Sequence, residues 1–168
     1  MSITTRAAVV ESGGAPFTLA EVELDEPGAR EAVVRMVATG LCHTDLGVAS
    51  GGLPFPLPGV LGHEGAGVVE AVGSAVTGVA PGDHVVLSFT SCGDCRDCAG
   101  GHPAYFATWL PLNLIGGRRA DGTSTISRDG TPLAGHFFGQ PSFADRACAS
   151  ERSRAKVGAR APLGAIAP

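Results

Sequence analysis

A small, mainly β barrel is the fold this sequence predicts, and three observations point to it. Apolar or alternating runs are short, four to nine residues each, and β-branched residues are frequent in them. Glycines (25) and prolines (12) punctuate those runs at turn-like intervals. No strand–helix alternation appears, and no GxGxxG motif follows a strand, so a Rossmann unit is not expected.

Taken in order, Arg6–Val10 and Phe17–Leu24 read as strands separated by Gly13-Gly14 and Pro16. Ala32–Ala38, with Arg35 interrupting an apolar run, reads as a half-buried third strand that Gly40 ends. His43 to about Ser50 reads as a short helix stopped by Gly51-Gly52. Leu53–Gly62, with three prolines, reads as a rigid loop. Val68–Val72 and His84–Phe89 read as further strands. Residues 90–122 lack periodicity and form a Cys-rich excursion. Asp129-Gly130 marks a hairpin between Ile126 and Leu133. Phe137-Phe138 and Phe143–Ala149 read as the last strands.

Composition narrows the function. Hydrophobic content of 44% against 17% charged residues is that of a folded domain, and 168 residues can bury a real core. A net charge of −4 without basic runs argues against nucleic acid as a partner. No apolar segment is long enough to span a membrane. Met1–Arg6 lacks the apolar core of a secretory leader, so a cytoplasmic location is the expectation. In such a compartment, three cysteines crowded into Cys92–Cys98 point to metal and not to disulfides.

Cys42 and His63, in two loops joined by the proline-rich segment, are preferred zinc ligands and have the look of a catalytic site. Cys42 taken alone also fits a small buried hydrophobe. Thr44 and Asp45 fit helix capping as well as acid–base chemistry. Cys148, in an expected strand, fits the core.

Gly40-Leu41-Cys42-His43-Thr44-Asp45, Gly62-His63-Glu64-Gly65-Ala66-Gly67 with Gly73, and Gly82-Asp83-His84-Val85 together resemble zinc-dependent medium-chain alcohol dehydrogenases. Leu112-Asn113-Leu114, Gly117–Gly122 and Phe137-Phe138-Gly139-Gln140 make the similarity closer to the aryl-alcohol (benzyl-alcohol) branch. The resemblance covers almost the whole chain. It implies a GroES-like, partly open β-barrel over residues 1–168, the catalytic domain of such enzymes, with a Cys-rich lobe at about 90–122.

By the same resemblance, Cys42 and His63 would hold catalytic zinc, Thr44 would take the alcohol proton, Asp45 would orient His63, and Glu64 would be a further carboxylate at the metal. His43 would meet the pyrophosphate of NAD, and Phe89 would line the alcohol pocket. Cys92, Cys95 and Cys98 match a structural zinc pattern, Cys-x2-Cys-x2-Cys-x7-Cys, whose fourth position is here Phe106. Water or His102 would then have to complete the set.

The family's third catalytic ligand and its NAD-binding domain are expected beyond Pro168. Hydride transfer by this chain alone is therefore not expected, although the family reaction is NAD-dependent oxidation of a primary or aromatic alcohol to an aldehyde. Barrel strands expected beyond Pro168 would leave an open edge, to be covered by a second copy or another partner. Two other functions fit the residues: a stand-alone zinc protein with non-redox Lewis-acid or acid–base chemistry, and a dimerising binding module.

Overall fold

Short β-branched runs pair into two five-stranded sheets that curl toward each other. The computed structural model describes residues 2–168. Its strands are β1 (Ile3–Val10), β2 (Thr18–Leu24), β3 (Glu31–Thr39), β4 (Gly59–Val60), β5 (Gly65–Val72), β6 (His84–Leu87), β7 (Ile126–Arg128), β8 (Thr131–Pro132), β9 (Arg146–Ser150) and β10 (Arg154–Val157). Helix is sparse: α1 (His43–Ala49), α2 (Arg96–Ala99) and α3 (Leu163–Ile166), plus three tight or wide helical turns. One sheet runs β4-β1-β2-β7-β8 and the other β10-β6-β5-β3-β9.

The two sheets are laced together where the 142–145 segment meets β1. Ala8 N–H donates to the Phe143 carbonyl at 2.8 Å, and Asp145 N–H donates to the Arg6 carbonyl at 2.9 Å. Alternation along β3 then decides the layering. Val33 faces one core with Val9, Val22, Leu24, Ile126, Leu133 and Cys148. Val34 faces another with Val69, Val85 and Leu87. Burial on both faces is why this strand reads as a nearly continuous apolar run. A third cluster (Val10, Val48, Ala49, Leu61 and Phe137) packs α1 against the loop that leads to His63. Leu19 (78% exposed), Leu41 (63%) and Val37 (50%) leave apolar surface open to solvent.

The fold is mainly β and barrel-shaped, with no Rossmann unit among the described residues, in keeping with the sequence. Three local expectations need correction. Phe137–Gly139 is a tight helical turn with Phe138 at φ 51°, not a strand. Two strands were unforeseen: β4, inside the proline-rich loop, and β10, an edge strand whose Arg154 and Lys156 hid its periodicity. No helix is long and apolar enough to cross a membrane among the described residues. Cys148 is fully buried, and burial pushes its thiol up to about 12, so it is a core residue.

His136, which is buried, gives the fold a pH dependence. Burial opposes its charged form most; nearby Glu31 resists that effect and Arg119 adds to it, leaving the pKa at about 4. The unfolded chain, with an ordinary histidine near 6.5, binds more protons between those values, so stability rises with pH across about 4 to 6.5. The contribution, on the order of 3 kcal/mol, is fully present above the window and lost as pH falls through it. Thermal unfolding at pH 7 and pH 4.5 should show a smaller acid loss for His136→Asn than for the parent chain. An equal loss in both would show that this residue does not contribute.

Candidate metal centre

Cys42 is the residue that caps the N-terminus of α1, and the helix's first turn carries the carboxylate that draws the two ligand loops together. Asp45 is fully buried. Its Oδ2 accepts the Cys42 N–H at 3.0 Å and its Oδ1 accepts the Gly62 N–H at 2.9 Å. One side chain thus joins the residue before the helix to the residue before His63. Gly62 sits at φ 90°, and a Cβ there would lie 2.6 Å from the Phe143 backbone nitrogen, so only glycine makes this turn. The His63 Nδ1 lies 3.4 Å from Asp45 Oδ1, buried and outside good hydrogen-bond geometry. With Nδ1 turned to Asp45, Nε2 is the nitrogen left to face Cys42.

The result is a compact donor set. The Cys42 thiol, a ring nitrogen of His63 and a carboxylate oxygen of Glu64 all lie within 4.8 Å of one another. Thr44 Oγ1 is 3.6 Å from Cys42 Sγ. The Thr44 N–H and then its hydroxyl hold the Cys42 thiol below its ordinary range. Burial works against a charged His63, but Asp45 and then Cys42 outweigh it, so its pKa is raised. Thiolate, imidazole and carboxylate in one cluster suit zinc or a similar divalent ion. Gly40 leaves room beside the set, since a Cβ there would collide with the Glu64 carboxylate and the Pro168 carbonyl.

Aromatic rings enclose His63. Phe138 stacks on the imidazole, with centroids 4.5 Å apart and an interplanar angle of 22°. Phe137 meets it edge-on at 5.3 Å, and Trp109 meets Phe138 edge-on at 5.8 Å. Gln140, fully buried, donates to the His63 carbonyl at 2.8 Å and to the Ser88 carbonyl at 3.0 Å. Sequence reasoning assigned neither Phe138 nor Gln140 to the site, because the Phe-Phe pair read as strand. The signal was the invitation to a turn in Gly139, which sits at φ 76°. The left-handed Phe138 costs roughly 1–3 kcal/mol, a strain that recurs at functional positions. Phe138→Leu should weaken metal binding about three- to tenfold through loss of the stack, measured by chelator competition; unchanged affinity would mean that the ring only fills space.

The other predicted residues fall into two places. His43 is exposed on α1, and Phe89 is half-buried after β6. Cys92, Cys95 and Cys98 form a separate group, their sulfurs within 4.8 Å of one another. Among the described residues, His102 is not in that group. Phe106 is 2% exposed and offers no donor atom. A closed four-ligand zinc site therefore does not fit the lobe.

A family model for the alcohol dehydrogenase GroES-like domain matches residues 28–157. Geraniol dehydrogenase of Castellaniella defragrans is 46% identical over 166 residues, covering 99% of this chain and 44% of that protein. The crystal structure of an alcohol dehydrogenase zinc-binding domain protein from Burkholderia ambifaria superposes with a TM-score of 0.94 at 51% identity, over 97% of this chain and 44% of the other. For benzyl alcohol dehydrogenase from Acinetobacter calcoaceticus the TM-score is 0.92 at 40% identity, over 99% and 44%. The chain thus spans less than half the length of these relatives. A match over most of the chain, on the same barrel, places this protein in the alcohol dehydrogenase GroES-like domain family.

Proposed function

We propose that residues 1–168 form a catalytic domain for alcohol oxidation, with Cys42, His63 and Glu64 as the residues that hold zinc. The observation that carries this reading is the convergence of those three donors, held by the bridging carboxylate of Asp45. Zinc, when bound, supplies Lewis-acid polarisation of a hydroxyl oxygen and lowers its pKa. NAD, when bound, supplies the acceptor for the hydride.

The remaining work falls to the chain. The Thr44 hydroxyl, 3.6 Å from the Cys42 sulfur, would accept the alcohol proton and pass it outward. Asp45 keeps both ligand loops in register. Phe138 and Trp109 present aromatic surface beside His63, which suits an aromatic or allylic primary alcohol. The names of the geraniol and benzyl alcohol relatives support that substrate class. His43, exposed on α1, is available to a cofactor phosphate. Within residues 1–168, Glu64 is the third donor of the set.

Cobalt-substituted chain provides the test. Benzyl alcohol or benzaldehyde should shift the cobalt d–d absorption, and His63→Ala should abolish both the bands and the shift. Cobalt bands insensitive to either aromatic compound would sink the substrate assignment while leaving the metal site in place.

A further inference from the structure

The Cys-rich lobe brings three thiols together, and position 106, where the spacing would call for a fourth cysteine, is Phe106. Cys92 Sγ and Cys98 Sγ are 3.7 Å apart, and Cys95 joins them within 4.8 Å. Backbone N–H groups are aimed at the sulfurs: Asp94 and Cys95 toward Cys92, Cys98 and Ala107 toward Cys95. Such contacts hold the sulfurs in place. Phe106 directly precedes Ala107 in the chain. Its side chain is buried and without a donor atom. Arg152 covers the neighbouring Gly93 closely enough that a Cβ on that glycine would strike its guanidinium.

Zinc has no geometric preference of its own, and its structural sites close with four ligands. With three thiolates it needs a fourth donor, and Phe106 supplies none. A soft ion content with three sulfurs has no such need, and thiolates select soft ions such as monovalent copper. We propose that Cys92, Cys95 and Cys98 form a three-thiolate site for a soft thiophilic ion, represented by monovalent copper, in preference to zinc.

The site is separate from the Cys42–His63–Glu64 cluster, so it stands whether or not that centre works in alcohol oxidation. The test uses the 168-residue chain in a Cys42→Ser background, which removes the other accessible thiolate; Cys148 is buried. Reduced, oxygen-free protein is titrated with copper(I) against a chromophoric chelator. The expected result is one copper per chain, three sulfur neighbours by X-ray absorption, and retention against a tenfold excess of zinc. Cys95→Ser should weaken binding at least tenfold. Phe106→Cys should raise zinc affinity at least tenfold, whereas Phe106→Leu, which keeps that position apolar, should behave like the parent. Displacement of copper by equimolar zinc, or binding unchanged by Cys95→Ser, would overturn the proposal.

Discussion

Asp45→Ala is expected to lower stability by about 3–5 kcal/mol, because two backbone N–H groups lose their charged acceptor in a buried place. The side chain is fully buried and bonds Cys42 N–H and Gly62 N–H with separate oxygens. For a chain of this length each kcal/mol moves the melting midpoint by roughly 2–4 °C, so a drop of about 10 °C or more is expected. Metal affinity should also fall about ten- to hundredfold, since the two ligand loops lose their common anchor. Asp45→Asn keeps one acceptor oxygen and turns its amide toward the other N–H, so it should recover part of both losses. Calorimetry and chelator competition on the two variants read this directly. A metal affinity unchanged in folded Asp45→Ala would refute the anchoring role.

Arg119→Met is expected to cost about 3 kcal/mol by leaving Glu31 without its partner in a largely buried setting. Arg119 Nε and Nη2 meet the two Glu31 oxygens at 2.9 and 2.8 Å, and the side chains are only 16% and 12% exposed. This bidentate pair ties the 117–124 turn to the start of β3. Burial raises the Glu31 pKa, but Arg119 and the Gly28 N–H outweigh it, and the net shift is downward. A depressed carboxylate stabilises above its unfolded pKa, and that contribution disappears as pH falls through the folded value. The gap between parent and Arg119→Met should therefore narrow in acid. Replacing both partners, as Glu31→Leu with Arg119→Met, should recover most of the loss. A double variant as unstable as the single would show that the pair itself is not the source.

Much of the barrel was legible because its strands carry a period-two pattern on a half-buried surface. β3 betrayed itself through Val33 and Val34, which serve opposite cores. Edge strands were harder to see. β10 packs only one side against β6, and its exposed basic residues mask the pattern. Phe137-Phe138 misled for the opposite reason: two adjacent apolar side chains look like a strand, yet a left-handed Phe138 sends one ring into the third core cluster and the other onto His63.

Within the candidate site, donor chemistry was readable residue by residue. Cys42, His63 and Glu64 announce themselves by type, and the structure places them together. Asp45 is expected to orient His63, and its Oδ1 does lie 3.4 Å from His63 Nδ1; its shorter hydrogen bonds, to Cys42 N–H and Gly62 N–H, give it an anchoring role besides. That role depends on backbone N–H groups brought together only by the fold, which no side-chain pattern records. The same holds for Gln140, whose amide reaches carbonyls at positions 63 and 88.

Zinc per chain, read by native mass spectrometry in zinc-buffered solution, tests the metal centre most directly. The parent chain and the Cys92→Ser/Cys95→Ser/Cys98→Ser variant should each retain one zinc at the Cys42–His63–Glu64 cluster. Cys42→Ser and His63→Ala should each lose it. Zinc that persists in both of those variants, or that vanishes only when the lobe cysteines are removed, would contradict the assignment.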